Sequence, residues 1–113
     1  MASQSIALEK TAMSAGETVP VHPGRILQEQ FLEPMDLSQN QLALSIGVPP
    51  RRINEIVLGK RGITADTALR LARYFYTSPR FWMNIQTNFE LEVAEDVLSE
   101  RLDREVRPHI RGR

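Results

Sequence analysis

Residues 38–58 read Ser38-Gln-Asn-Gln-Leu-Ala-Leu-Ser-Ile-Gly-Val-Pro-Pro-Arg-Arg-Ile-Asn-Glu-Ile-Val-Leu58. The pattern is that of two short helices meeting at a tight corner. Ser38 is an N-cap, and Gln41, three residues on, completes a capping box. Leu42, Ala43 and Ile46 share one helical face. Gly47 stands where a helix end calls for positive φ. Val48 is an apolar plug for the corner. Pro49 and Pro50 open the second helix, where a missing N–H costs nothing. Ile53, Ile56 and Val57 give that helix a face to bury.

The register narrows the reading. Counting from Gln39, Ala43 is fifth, Gly47 ninth, Val48 tenth, Ile53 fifteenth and Ile56 eighteenth. A helix-turn-helix needs a small residue where its helices cross, a glycine in the turn and apolar plugs on both sides. All are present in step. The outer face of the second helix carries Arg51, Arg52, Asn54 and Glu55, side chains long enough to reach base edges in a major groove. An ordinary α-hairpin with solvated charges is the plainer account of these residues, and the register favours the DNA-reading motif.

A chain of 113 residues with 42% apolar content makes one domain with a small core and room for a tail. There is no cysteine, so neither a disulfide framework nor a thiolate metal site is expected. No stretch reads as a secretory signal or a membrane span, which leaves a cytoplasmic location as the expectation. The formal net charge is zero, but it is unevenly spread. Residues 51–61 carry a local balance of +3, and residues 90–100 one of −5. One end of the molecule suits phosphates and another repels them.

Outward from the motif, residues 1–19 show little periodicity and read as a flexible leader. Residues 20–90 read as the DNA-binding domain, and 91–113 as a C-terminal helix with a basic tail. Pro23 suits the first turn of a helix running to about Leu32, with Ile26, Leu27 and Phe31 inward and Glu33-Pro34 as its stop. His22 has no nucleophile or metal partner in sight and reads as structural or exposed. After the motif, Gly59 ends the second helix and Gly62 reads as a further hinge. Lys60 and Arg61 sit where they can touch phosphates beside a groove. Thr64 caps a fourth helix with Asp66 in its first turn. Ala68, Leu71, Ala72 and Phe75 form its apolar stripe, which Leu69 widens.

Ser78-Pro79 starts a fifth helix. Phe81, Trp82, Ile85 and Phe89 face inward or toward a partner, with Trp82 assigned to the core. Apolar positions continue through Leu102. Unbroken, residues 79–104 would span ~39 Å at ~1.5 Å per residue. That is long for so small a domain, so a break near Asn88 or a partner subunit is expected. Arg107, Arg111 and Arg113 fall in a tail read as frayed.

Three further stretches accompany the motif: Val21-His-Pro-Gly24, Gly59-Lys-Arg-Gly-Ile-Thr-Ala-Asp-Thr-Ala-Leu-Arg-Leu-Ala72 and Ser78-Pro-Arg-Phe-Trp-Met-Asn-Ile-Gln86. With them the chain resembles the HigA antitoxins, within the Xre-type regulators related to phage repressors. The likeness covers about residues 21–90. It implies an all-α, five-helix helix-turn-helix domain of the phage-repressor type with an extended C-terminal helical segment, dimerising through its C-terminal part. It further implies binding of a palindromic operator in double-stranded DNA, repression of its own promoter and, in many such proteins, silencing of a small RNase toxin. By the same likeness Gln39 holds a phosphate, and Arg51 and Glu55 fall at base-reading positions. Pro50 departs from the phage repressors, which often have a base-reading glutamine there. A proline has no side-chain donor to replace it.

The expected mode of binding follows. Arg51 or Arg52 can bond a guanine bidentately, Asn54 can address adenine, and Glu55 can accept from cytosine or hold an arginine. Gln39, Lys60 and Arg61 set register on the backbone. A homodimer presents paired helices about 34 Å apart, one turn of DNA. An enzyme is the weakest reading. There is no thiol, no phosphate loop and no pair of histidines at ligand spacing, so neither catalytic nor metal-binding residues nor a cofactor are assigned.

Overall fold

The computed structural model describes residues 19–110. Of the expected leader, 1–19, residues 1–18 lie outside the described residues, as do Arg111 and Arg113 of the tail. The elements in order are α1 (Pro23–Leu27) leading into a π-helical turn (Gln28–Leu32), then α2 (Gln39–Ile46), α3 (Pro50–Val57), α4 (Ala65–Phe75) and α5 (Pro79–Glu105). No strand occurs among the described residues. The five-helix, all-α expectation is met.

Helix ends follow local chemistry. Ser38 and Gln41 form the capping box: the Ser38 hydroxyl accepts from Gln41 N–H at 3.0 Å, and Gln41 Oε1 accepts from Ser38 N–H at 2.9 Å. Gly47 ends α2 at φ 76°, a left-handed conformation that a Cβ would strain. Thr64 and Ser78 cap α4 and α5 with their hydroxyls. At α1, His22 takes the role usually given to serine: its Nδ1 accepts from Gly24 N–H at 2.9 Å.

The first helix ends at Leu32, where the sequence placed its stop, but its last turn is wider than expected. Glu33 N–H donates to Gln28 O, five residues back, at 2.9 Å. Pro34 has no N–H to continue an α-helical ladder, and its ring would crowd the carbonyl four residues earlier. The wide turn brings both Phe31 and Leu32 onto the core.

That core is built around Trp82, 0% exposed, with Leu27, Leu32, Leu42, Ile53, Ile56 and Leu71 around it. Phe31 meets the Trp82 ring at a centroid distance of 4.9 Å and Phe75 at 4.8 Å. Trp82 Nε1 donates to Thr77 Oγ1 at 2.8 Å, so its one polar atom is satisfied. Trp82 is thus core, as assigned. Gly24 allows α1 to lie directly on α3, because a Cβ there would stand 1.8 Å from the Ile56 carbonyl oxygen.

Three expectations change. Leu69 is 59% exposed and does not widen the buried stripe of α4; only Thr67, Ala68, Leu71 and Ala72 are buried there. Gly62 is no left-handed hinge: its backbone lies outside the positive-φ region, and the buried side chain of Gln86 packs against it. α5 does not break near Asn88. It runs 27 residues, because no glycine or proline follows Pro79 until Pro108. Its distal half leaves the helical body, and Leu91, Val93, Val97 and Leu102 lie exposed along it. The long axis of the molecule, 57 Å against 31 and 25 Å, reflects this arm.

Candidate nucleic-acid interface

α3 separates its two faces cleanly. Ile53 and Ile56 are fully buried, while Arg51 and Asn54 point outward. The Gly47 corner and the Val48 plug fix the approach of α2 to α3.

The sequence-assigned side chains are brought together in pairs. Asn54 Nδ2 donates to Gln39 Oε1 at 3.1 Å, joining the middle of α3 to the first residue of α2. Arg51 Nε donates to Glu55 Oε2 at 2.9 Å, and its side chain is 84% exposed. Arg61, from the loop after α3, reaches the other oxygen of the same carboxylate, Nε to Oε1 at 2.9 Å. The hydrogen bonds from Arg51 and then Arg61 hold the Glu55 carboxyl below the usual carboxylate range. Glu55 thus clamps two arginines, the second of the roles the sequence left open to it.

Arg52 behaves differently from its neighbour. Its guanidinium turns across to α4, where Nη1 donates to Asp66 Oδ1 at 3.1 Å, and its side chain is only 29% exposed. Asp66 also accepts from Arg70 Nε at 2.7 Å. These contacts, Arg70 foremost, hold the Asp66 carboxyl below its ordinary value. Lys60 is exposed and has no carboxylate partner among the described residues.

Sequence reasoning passed over three supporting residues. Asp66 was legible only as a first-turn acid. Arg70, four residues on, donates through Nη1 to Ile46 O at 2.9 Å and Gly47 O at 3.3 Å, satisfying carbonyls left open at the end of α2. Gln86 is buried, and its Oε1 accepts from Ile63 N–H at 2.7 Å. The signal for Gln86 was a lone amide in helical phase with Trp82. The signal for Arg70 was its spacing from Asp66.

His22 shows no catalytic company. It caps α1 and meets Phe89 edge-on, with ring centroids 4.9 Å apart. Among the described residues no cluster of three acidic or histidine side chains is placed to hold a metal, and no helix is long and apolar enough to cross a membrane.

A helix-turn-helix family model, HTH_3, matches residues 29–82. Virulence-associated protein I of Dichelobacter nodosus is 54% identical over 79 residues, covering 70% of this chain and 73% of that protein. Antitoxin HigA-1 of Vibrio cholerae is 36% identical over 72 residues, 64% of this chain and 68% of that one. Among solved structures, the Pseudomonas aeruginosa antitoxin HigA with the higBA promoter matches with a TM-score of 0.78 and 41% identity. That match covers 81% of this chain and all of the other. With the corner, the caps and the two-faced α3 already in place, these likenesses make the chain a member of the HigA family of Xre-type helix-turn-helix regulators.

Proposed function

We propose that this protein is a sequence-specific DNA-binding regulator, an autorepressor that binds a palindromic operator as a homodimer and carries out no catalysis. The observation that carries this reading is the two-sidedness of α3. Its apolar half is locked into the core, and its outward half offers Arg51 and Asn54 beside Lys60 and Arg61. A HigA relative of the same fold, solved with the higBA promoter, supports a DNA-binding reading.

α3 enters the major groove. Arg51 leaves Glu55 for a guanine edge, an exchange that costs little because an i,i+4 ion pair contributes only ~0.2–0.5 kcal/mol. Asn54 addresses adenine, with Gln39 holding it from behind and taking a phosphate. Glu55 keeps Arg61 directed to the backbone, where Lys60 joins it. One copy makes too few contacts for useful selectivity, so a twofold pair is part of the proposal. Selection from a random pool of duplexes tests it. The expected result is enrichment of an inverted repeat with half-sites one helical turn apart. Failure to enrich any sequence would remove the reading.

A second reading is favoured by the distal half of α5. Its exposed Leu91, Val93 and Val97 alternate with Glu90, Glu92, Glu95 and Asp96. Such an apolar, acidic arm suits a small basic protein, and the Vibrio relative is named an antitoxin. Neutralisation of a small RNase toxin is compatible with operator binding in one chain. Co-expression with a small basic RNase encoded beside it should rescue growth and yield a stable complex. Unrelieved toxicity would discard this reading.

A further inference from the structure

Four arginines around α3 are held by two carboxylates. Glu55 takes Arg51 and Arg61, and Asp66 takes Arg52 and Arg70. The two arrangements are not alike. The Arg51–Glu55 pair lies along α3 itself, and Arg51 remains open to solvent. Arg52 is drawn off α3 toward α4, to a partner fourteen residues on. Asp66 is not free to follow Arg52 outward. Its Oδ1 is also held by Arg70 Nε, and Arg70 is anchored by Nη1 on the Ile46 and Gly47 carbonyls. The chain Arg52–Asp66–Arg70–Gly47 thus ties the start of α3 to the corner that precedes it.

An arginine at the start of a groove-entering helix would otherwise take whichever phosphate lies nearest. Such a contact adds affinity for every sequence and selectivity for none. We infer that Asp66 is a positioning residue that sets specificity: pinned by Arg70, its carboxylate keeps Arg52 off the DNA phosphates and so limits sequence-independent binding. This inference rests on the DNA-binding reading above. Arg52 is only 29% exposed and its carboxylate is fixed by Arg70, so this pair is harder to leave than the Arg51–Glu55 pair, whose arginine is 84% exposed. Asp66 itself is 56% exposed, so replacing it redirects Arg52 without opening the core.

The test compares the full-length parent with Asp66→Asn, Asp66→Glu, Arg52→Gln and the double variant D66N/R52Q. Binding is titrated on the selected operator and on a random duplex over a range of salt. For D66N, the log–log salt slope on random DNA should steepen by about 0.9 per protomer. A dimer would then lose about tenfold more affinity than the parent between about 50 and 200 mM salt, and its operator preference would fall. D66E should keep the parental slope, and D66N/R52Q should return to it. A purely structural role for Asp66 would lower thermal stability without steepening the slope, and would show no reversal in the double variant.

R52Q alone should leave operator affinity near parental. This variant decides the matter if D66N fails to fold. A loss of about tenfold or more at the operator, the size of a missing bidentate base contact, would put Arg52 on DNA and overturn the assignment. With a selective parent, an unchanged D66N slope overturns the Asp66 role alone. A parent that prefers no sequence overturns the DNA-binding reading and the inference together.

Discussion

Gln86 fills the space that a side chain on Gly62 would need: a Cβ there would stand 2.8 Å from Gln86 Nε2. Both ends of the amide are hydrogen-bonded. Its Oε1 accepts from Ile63 N–H at 2.7 Å and its Nε2 donates to Glu90 Oε2 at 2.8 Å. α5 thereby holds the loop that carries Lys60 and Arg61. Gln86→Leu leaves a buried N–H unpaired and should cost roughly 1–3 kcal/mol. Gly62→Ala evicts the same amide and should cost a similar amount. Because both variants break one contact, the double variant should be clearly less destabilised than the sum in urea titrations.

His22 makes stability depend on pH. Burial lowers its pKa from the ordinary value near 6.5, and only the neutral ring can accept at Nδ1 from Gly24 N–H. Above pH ~6.5 the ring is neutral whether the chain is folded or unfolded, and its contribution is complete. Below that, the unfolded chain takes up the proton first, so stability falls until the folded ring is protonated too. The lowered carboxylates Glu55 and Asp66 act in a more acidic window, losing their contribution as pH falls through their folded values. The thermal midpoint should therefore drop as pH falls below about 6.5 in the parent. His22→Asn, which can still cap, should be flatter across that range.

Arg51 and Lys60 should separate selectivity from affinity. Arg51→Ala is expected to relax preference at one base pair of each half-site, by about 1–3 kcal/mol of discrimination. Lys60→Ala should weaken binding to operator and random DNA alike and flatten the salt slope by about 0.9 per protomer. Gel shifts on single-base operator variants read the first effect, and salt titrations read the second. Equal behaviour of the two variants would mean that α3 does not read bases through Arg51.

Val97 tests whether the distal half of α5 serves a second copy or a partner of another kind. Val97 is 68% exposed and touches little of its own domain, so Val97→Asp should leave the unfolding midpoint of the helical body nearly unchanged. In sedimentation at micromolar protein it should shift dimer to monomer and weaken operator binding. An unaltered dimer would place the seam elsewhere.

Much of the fold was legible because it is written in short-range rules. The capping box at Ser38, the left-handed Gly47, the caps at Thr64 and Ser78 and the apolar phase of α2 and α3 all act within about one helical turn. The break expected near Asn88 rested on the size of a compact domain rather than on any helix-breaking residue, and the helix continued. Leu69 carried the right chemistry for a buried stripe but fell on the outer side of α4, because the packing angle decides which edge of a stripe is covered.

The sequence alone determined the helix-turn-helix, its family and the set of polar side chains on its outer face, since those follow from residue type and spacing along one chain. Only the tertiary structure decided how those side chains are shared. Arg52 finds Asp66 fourteen residues away, Asn54 finds Gln39 at fifteen, and Gln86 finds Ile63 at twenty-three. The physical reason is that such partners are set by how helices cross, and no local propensity encodes a crossing.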